Sequence, residues 1–122
     1  MKYKITITVI VCALIIAGSV VEYVYVNRAF DELETRLDKV MEYEEYPLEE
    51  VEELTKWWDK TSEWLEISIP VIQLNEITVT LSELCGAVEA EDYDTASALL
   101  TRIKAYSENI SDIYKMRFNH IF

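Results

Sequence analysis

Residues 5–21 read ITITVIVCALIIAGSVV, 17 positions without a charge. An α-helix crosses the hydrocarbon core of a bilayer with about 20 mostly apolar residues. At ~1.5 Å per residue this run supplies ~25 Å. Tyr23, Val24, Tyr25 and Val26 carry it more than a turn past Glu22. Tyr3 at one end and Tyr23 with Tyr25 at the other suit the two interfaces, where amphipathic rings settle. The run predicts a membrane helix with lipid around residues 5–26. The chain then divides into an anchor over 1–26 and a domain over 27–122. Lys2, Lys4 and the free amino group flank one side; Arg28 and Arg36 are the first bases on the other. The positive-inside rule places the N-terminus in the cytoplasm and the domain outside the cell membrane.

A cleaved signal peptide is the rival reading, because Ala17-Gly18-Ser19 fits a small-x-small cleavage site. The apolar run continues through Val20, Val21 and residues 23–26, which a mature N-terminus would have to expose. That favours a retained anchor. Cys12 follows Val-Ile-Val, without the small residue a lipoprotein site places just before its cysteine.

The 122 residues carry 23 acids and 11 bases, net −12. Lys2 and Lys4 precede the uncharged run and every acid follows it, so the chain beyond the run holds 9 bases against 23 acids, net −14. Such a surface excludes nucleic acid, whose binding needs Lys and Arg on phosphates. It is also repelled by anionic headgroups. Two glycines and two prolines argue against a turn-rich β-fold and for long helices.

After the anchor, Val26, Phe30, Leu33, Leu37 and Val40 repeat at spacings of four and three, a helical seam. No Gly or Pro interrupts it, which predicts one helix from about residue 3 to 45. Tyr46-Pro47 ends that helix, because the residue before proline avoids the α region. Pro47 suits the first turn of the next one, with Glu49 and Glu50 at its positive end. Val51, Leu54, Trp58 and Leu65 form its stripe. Ser68-Ile69-Pro70 either bends a long helix or separates two; separation, with Pro70 starting a third helix, is the reading adopted. Leu74, Ile77, Leu81, Leu84 and Val88 are the third stripe, although residues 77–81 also alternate like a strand. Residues 89–94, EAEDYD, make a polar turn in which Asp92 or Asp94 can accept a helix-start N–H. In the fourth helix Ala96, Leu99, Ile103, Tyr106, Ile110 and Ile113 face inward. The fold class is therefore all-α: an N-terminal transmembrane helix continuing into an antiparallel bundle of three to four long helices.

In such a bundle the fourth helix returns toward the membrane. Phe118, Ile121 and Phe122 are then expected near the outer leaflet or a membrane partner. Trp57, Trp58 and Trp64 are the other partner-binding candidates. Adjacent tryptophans point ~100° apart on a helix, so at least one leaves the core stripe.

Several motifs mark this layout. They are Trp57-Trp58-Asp-Lys-x-x-x-Trp64, Leu74-x-x-Ile77-x-x-x-Leu81-x-x-Leu84, Glu91-Asp92-Tyr-Asp-x-Ala96-x-x-Leu99-x-x-x-Ile103 and the ending Met116-Arg-Phe-Asn-His-Ile121-Phe122. Together with the anchor, the chain resembles the domain-of-unknown-function family 4363, small anchored proteins of spore-forming Gram-positive bacteria. The resemblance implies a bacterial membrane location and a subunit of a larger membrane complex. The chain departs from the pattern at Ile69-Pro70, where the family has a His, and at His120, where it has Asn.

Nothing in the chain reads as an enzyme. His120 is the only histidine and lies near the C-terminal end, with no Ser or Cys that pairs with it in any recognised pattern. Zinc sites want clustered Cys and His, so no metal and no cofactor are expected. Carboxylate pairs are too plentiful to single one out. Cys85 reads as a small hydrophobe on its stripe or, alternatively, as an interchain disulfide making a homo-oligomer. The expected function is an interaction or accessory subunit of a membrane complex, with a protein partner. The alternative is a cation- or pH-responsive sensor using the acidic corner around residues 42–53.

Overall fold

The structure, a computed structural model, describes residues 2–121. It is all-helical: α1 (Lys2–Met41), α2 (Leu48–Leu65), α3 (Val71–Glu89) and α4 (Tyr93–Ile121). Residues 77–81 are helical, and the 3.5-residue repeat around them explains why. α1 and α3 each pack against both α2 and α4, and among the described residues the diagonal pairs do not meet. The helices thus form a square, up-down-up-down array joined by short connections.

α1 has two halves with different surroundings. Its N-terminal apolar half is long and apolar enough to cross a membrane, and none of that stretch is buried. Thr6 and Thr8, the polar residues early in it, donate their hydroxyls to the carbonyls of Lys2 and Lys4 at 2.9 and 2.7 Å. Its second half turns Val26, Ala29, Phe30, Leu33, Leu37 and Val40 into the bundle. The helix stops at Met41 rather than 45. Glu42, Glu44 and Glu45 would crowd negative charge onto the negative end of its dipole.

Both prolines serve as N-caps, one position before the helical turn expected for them. Pro47 and Pro70 have extended ψ values of 128° and 134°. Their carbonyls accept the first helical N–H groups, from Val51 at 3.2 Å and Leu74 at 3.3 Å. α2 buries Val51, Leu54, Trp58 and Leu65. α3 buries the five stripe residues together with Thr80 and Ala87. On α4 the buried set is Ala96, Leu99, Leu100, Ile103, Ser107 and Ile110, with Tyr106 packed against the core. Ile113, expected to face inward, is half-buried, because it lies beyond the last full core layer. Each large apolar side chain taken from water contributes roughly 1.5–3 kcal/mol.

The α3–α4 corner is a Schellman turn. Asp92 N–H reaches the carbonyl of Ala87 at 2.9 Å, and Glu91 N–H that of Val88 at 3.1 Å. Glu91 occupies the left-handed position with φ 56°, where glycine is the usual residue. Asp92 then caps α4. Its Oδ1 accepts Thr95 N–H at 3.3 Å and its Oδ2 accepts the Thr95 hydroxyl at 2.6 Å.

Candidate functional site

The bundle has two unlike ends. From one end the apolar half of α1 projects. There the α2–α3 turn and the C-terminal turns of α4 close around residues 18–25 of α1. Tyr23 lies against Phe118 with ring centroids 4.2 Å apart, and against Tyr114 at 6.1 Å. Glu22, the one charge in the apolar stretch, accepts the Ser68 hydroxyl at 2.5 Å. Ile69 turns inward from the same loop and is buried, sealing the core. Trp64, Ile67, Val71 and Ile72 instead point outward and are exposed. A cleft of about 560 Å³ separates the turn from α1, lined by Gly18, Val21, Tyr25, Trp64 and Ile67 among others. Burial, reinforced by the Glu22 charge and by Tyr23, raises the Tyr114 hydroxyl above the usual phenol value.

The opposite end gathers the α1–α2 and α3–α4 connections. Tyr46 and Tyr93 meet there edge-on at 5.9 Å. Glu42, Glu44 and Glu45 lie in the first connection and Glu49, Glu50, Glu52 and Glu53 in the opening turns of α2, and no Lys or Arg occurs from residue 40 to 55. Glu91 and Asp92 lie in the other connection, flanked by Glu89 of α3 and Asp94 of α4. Burial, then the charges of Glu45 and Glu91, raises the Tyr93 hydroxyl. The hydrogen bonds from Thr95 lower the Asp92 carboxyl. Among the described residues, no three His, Cys, Asp or Glu side chains converge to hold a metal ion.

Between the ends, charged side chains tie helices at the surface. Lys104 Nζ on α4 donates to Asp38 Oδ1 on α1 at 3.1 Å and lies 4.0 Å from Glu34. The hydrogen bond and charge of Asp38 raise the Lys104 ammonium. Arg36 pairs with Glu32 at 3.0 Å and lays its guanidinium 4.8 Å from the centre of the Trp57 ring.

The candidate partner residues fall into different environments. Trp58 is fully buried, and its indole N–H donates to Thr78 Oγ1 at 2.9 Å. It is a core residue and not a surface one, because it shares a face with Val51, Leu54 and Leu65. Trp57 is half-buried between Arg36 and Trp58. Trp64 is exposed at the apolar end. Phe118 is half-buried on Tyr23, at the same end. The side chain of Ile121 and the whole of Phe122 lie outside the described residues. Cys85 is a half-buried free thiol, 3.4 Å from the Thr55 hydroxyl.

Sequence reasoning missed Ile67, Val71 and Ile72. The available signal was a set of apolar residues around Pro70 that fit neither neighbouring stripe. The chain matches no family model, no curated protein and no solved structure, so the family resemblance rests on the quoted motifs alone.

Proposed function

We propose that the protein is a single-pass membrane protein with a cytoplasmic N-terminus. Its bundle stands outside the membrane and serves as an interaction or accessory subunit of a membrane complex. The observation that carries this reading is the division of α1. None of its apolar stretch is buried, while its second half is fixed in the core of the bundle. A loosely hinged tether would leave the domain free to tumble. Here the same unbroken helix enters the core, so the bundle's axis is coupled to the anchor.

The mechanism is positional. From Glu22 to Met41 the helix rises roughly 30 Å. The acidic end is thereby held at a set height above the bilayer, where a partner with a basic surface would meet it. Long-range attraction of this kind speeds encounter and falls with salt.

Site-specific photo-crosslinking in native membranes tests the reading. A benzophenone side chain placed at Glu45 or Glu52 is expected to give one discrete heteromeric adduct that weakens as salt is raised. An absence of adducts from both positions, with the protein intact in the membrane, contradicts it.

A further inference from the structure

We propose that the α2–α3 turn is a second membrane contact: Trp64, Ile67, Val71 and Ile72 rest in the bilayer interface beside the spanning helix. This rests on the reading of α1 as a membrane anchor. Three observations lead to it.

The first is height along α1. The uncharged run of 17 residues supplies ~25 Å of a hydrocarbon thickness of about 30 Å. The remaining ~5 Å is about three more residues, which puts the outer boundary near Val24. Tyr25, Trp64 and Ile67 line one cleft at this level. The turn therefore meets the plane where hydrocarbon gives way to headgroups, the depth that tryptophan prefers.

The second is the surface itself. Trp64, Ile67, Val71 and Ile72 are 65%, 77%, 56% and 80% exposed. They lie within nine residues around Pro70, and the cleft joins Trp64 and Ile67 to Gly18 and Val21 of the apolar helix. An apolar patch continuous with a lipid-facing helix is covered by the same lipid. The polar groups at this level are already provided for. Ser68 donates to Glu22 at 2.5 Å, which lowers the cost of a carboxylate near the boundary.

The third is the distribution of charge along the bundle. The acid-rich connections lie at the far end. At the near end, no Asp or Glu follows Asp112 in the sequence, while Lys115 and Arg117 do. Basic side chains at the interface favour anionic headgroups, and the acid-rich connections, which would be repelled, are held away from them. Glu63 and Glu66 are exposed beside the turn and limit its depth to the interface, short of the hydrocarbon. The contact would fix the tilt of the bundle, since one helix alone leaves rotation about its own axis free.

The experiment uses the full chain in vesicles of phosphatidylcholine with phosphatidylglycerol. Spin labels are placed singly through Ile67→Cys, Ile10→Cys and Glu45→Cys, each with Cys12→Ser and Cys85→Ser, and helicity is checked by circular dichroism. Power saturation compares access to oxygen, which concentrates in lipid, with access to a water-soluble nickel chelate. Lipid contact is expected at positions 10 and 67, with position 45 in water. A lipid-exposed position 10 with position 67 fully open to the chelate overturns the second contact and leaves the anchor standing. Position 67 shielded from both reagents means that a protein, a second copy included, covers the turn, and also overturns it. A water-exposed position 10 overturns the anchor itself.

Discussion

The indole N–H of Trp58 on α2 donates to the hydroxyl of Thr78 on α3 at 2.9 Å, inside the bundle. Thr78 in turn donates its own proton to the carbonyl of Leu74 at 3.2 Å. The largest fully buried side chain is thus satisfied across a helix interface, and its ring also meets Phe30 of α1 at 6.4 Å. Replacing Thr78 with Val keeps the shape and strands the indole N–H. Thr78→Val is expected to cost about 1–3 kcal/mol in urea unfolding of the full chain in detergent micelles. A change smaller than about 0.5 kcal/mol would mean that water reaches the indole.

Glu91 supplies the left-handed residue of the α3–α4 corner. Glycine adopts that conformation without the Cβ clash. Glu91→Gly should therefore raise stability by about 0.5–1 kcal/mol, and Glu91→Val, branched at the same position, should lower it. Thermal unfolding of the three proteins side by side checks the order. A glycine variant less stable than the parent contradicts the turn geometry.

The Asp92 cap gives a pH-dependent counterpart. Its carboxyl is held below the ordinary aspartate value of 3.8 by the Thr95 hydroxyl and then the Thr95 N–H. A lowered folded-state value means that the ionised form stabilises the fold above the unfolded value, and that this is lost as pH falls through the folded one. Asp92→Ala should melt earlier than the parent at pH 7, and the gap should narrow below pH 3.8. A gap that is constant from neutral to acid pH would show that the charge is not involved.

Trp57 tests the boundary between core and surface. It is half-buried, with the Arg36 guanidinium 4.8 Å from its ring centre on one side and Trp58 on the other. Trp57→Ala is expected to cost about 1–2 kcal/mol, from lost apolar contact and a partly exposed cation–π pair. Arg36→Gln should cost less, since it removes the cation–π contact and the exposed Glu32 pair but no apolar packing of the ring. Equal losses from the two variants would contradict this division.

Much of the architecture was legible because its signals are local. Pro47 and Pro70 restrict the residue before them, so both helix starts showed in the sequence, displaced by one position. Val51, Leu54, Trp58 and Leu65 are buried as their spacing implied. Leu100 was missed because α4, the longer helix, packs more extensively on α1 and α3 than α2 does, which widens its apolar face beyond one 3.5-residue stripe. Thr80 was missed because its hydroxyl is satisfied by its own helix, at the carbonyl of Glu76, 2.7 Å away. It therefore needs no water although it is buried. The candidate surface around Ile67 and Ile72 depends on one connection, α1 and the C-terminal end of α4 coming together in space. Periodicity along one helix carries no trace of that.

Alkaline carbonate extraction of native membranes, followed by the intact mass of the recovered protein, tests the anchor most directly. The expected result is a chain that stays with the lipid and has its full mass of 14.3 kDa. A shortened chain beginning near Val20 and released into the aqueous fraction would contradict it.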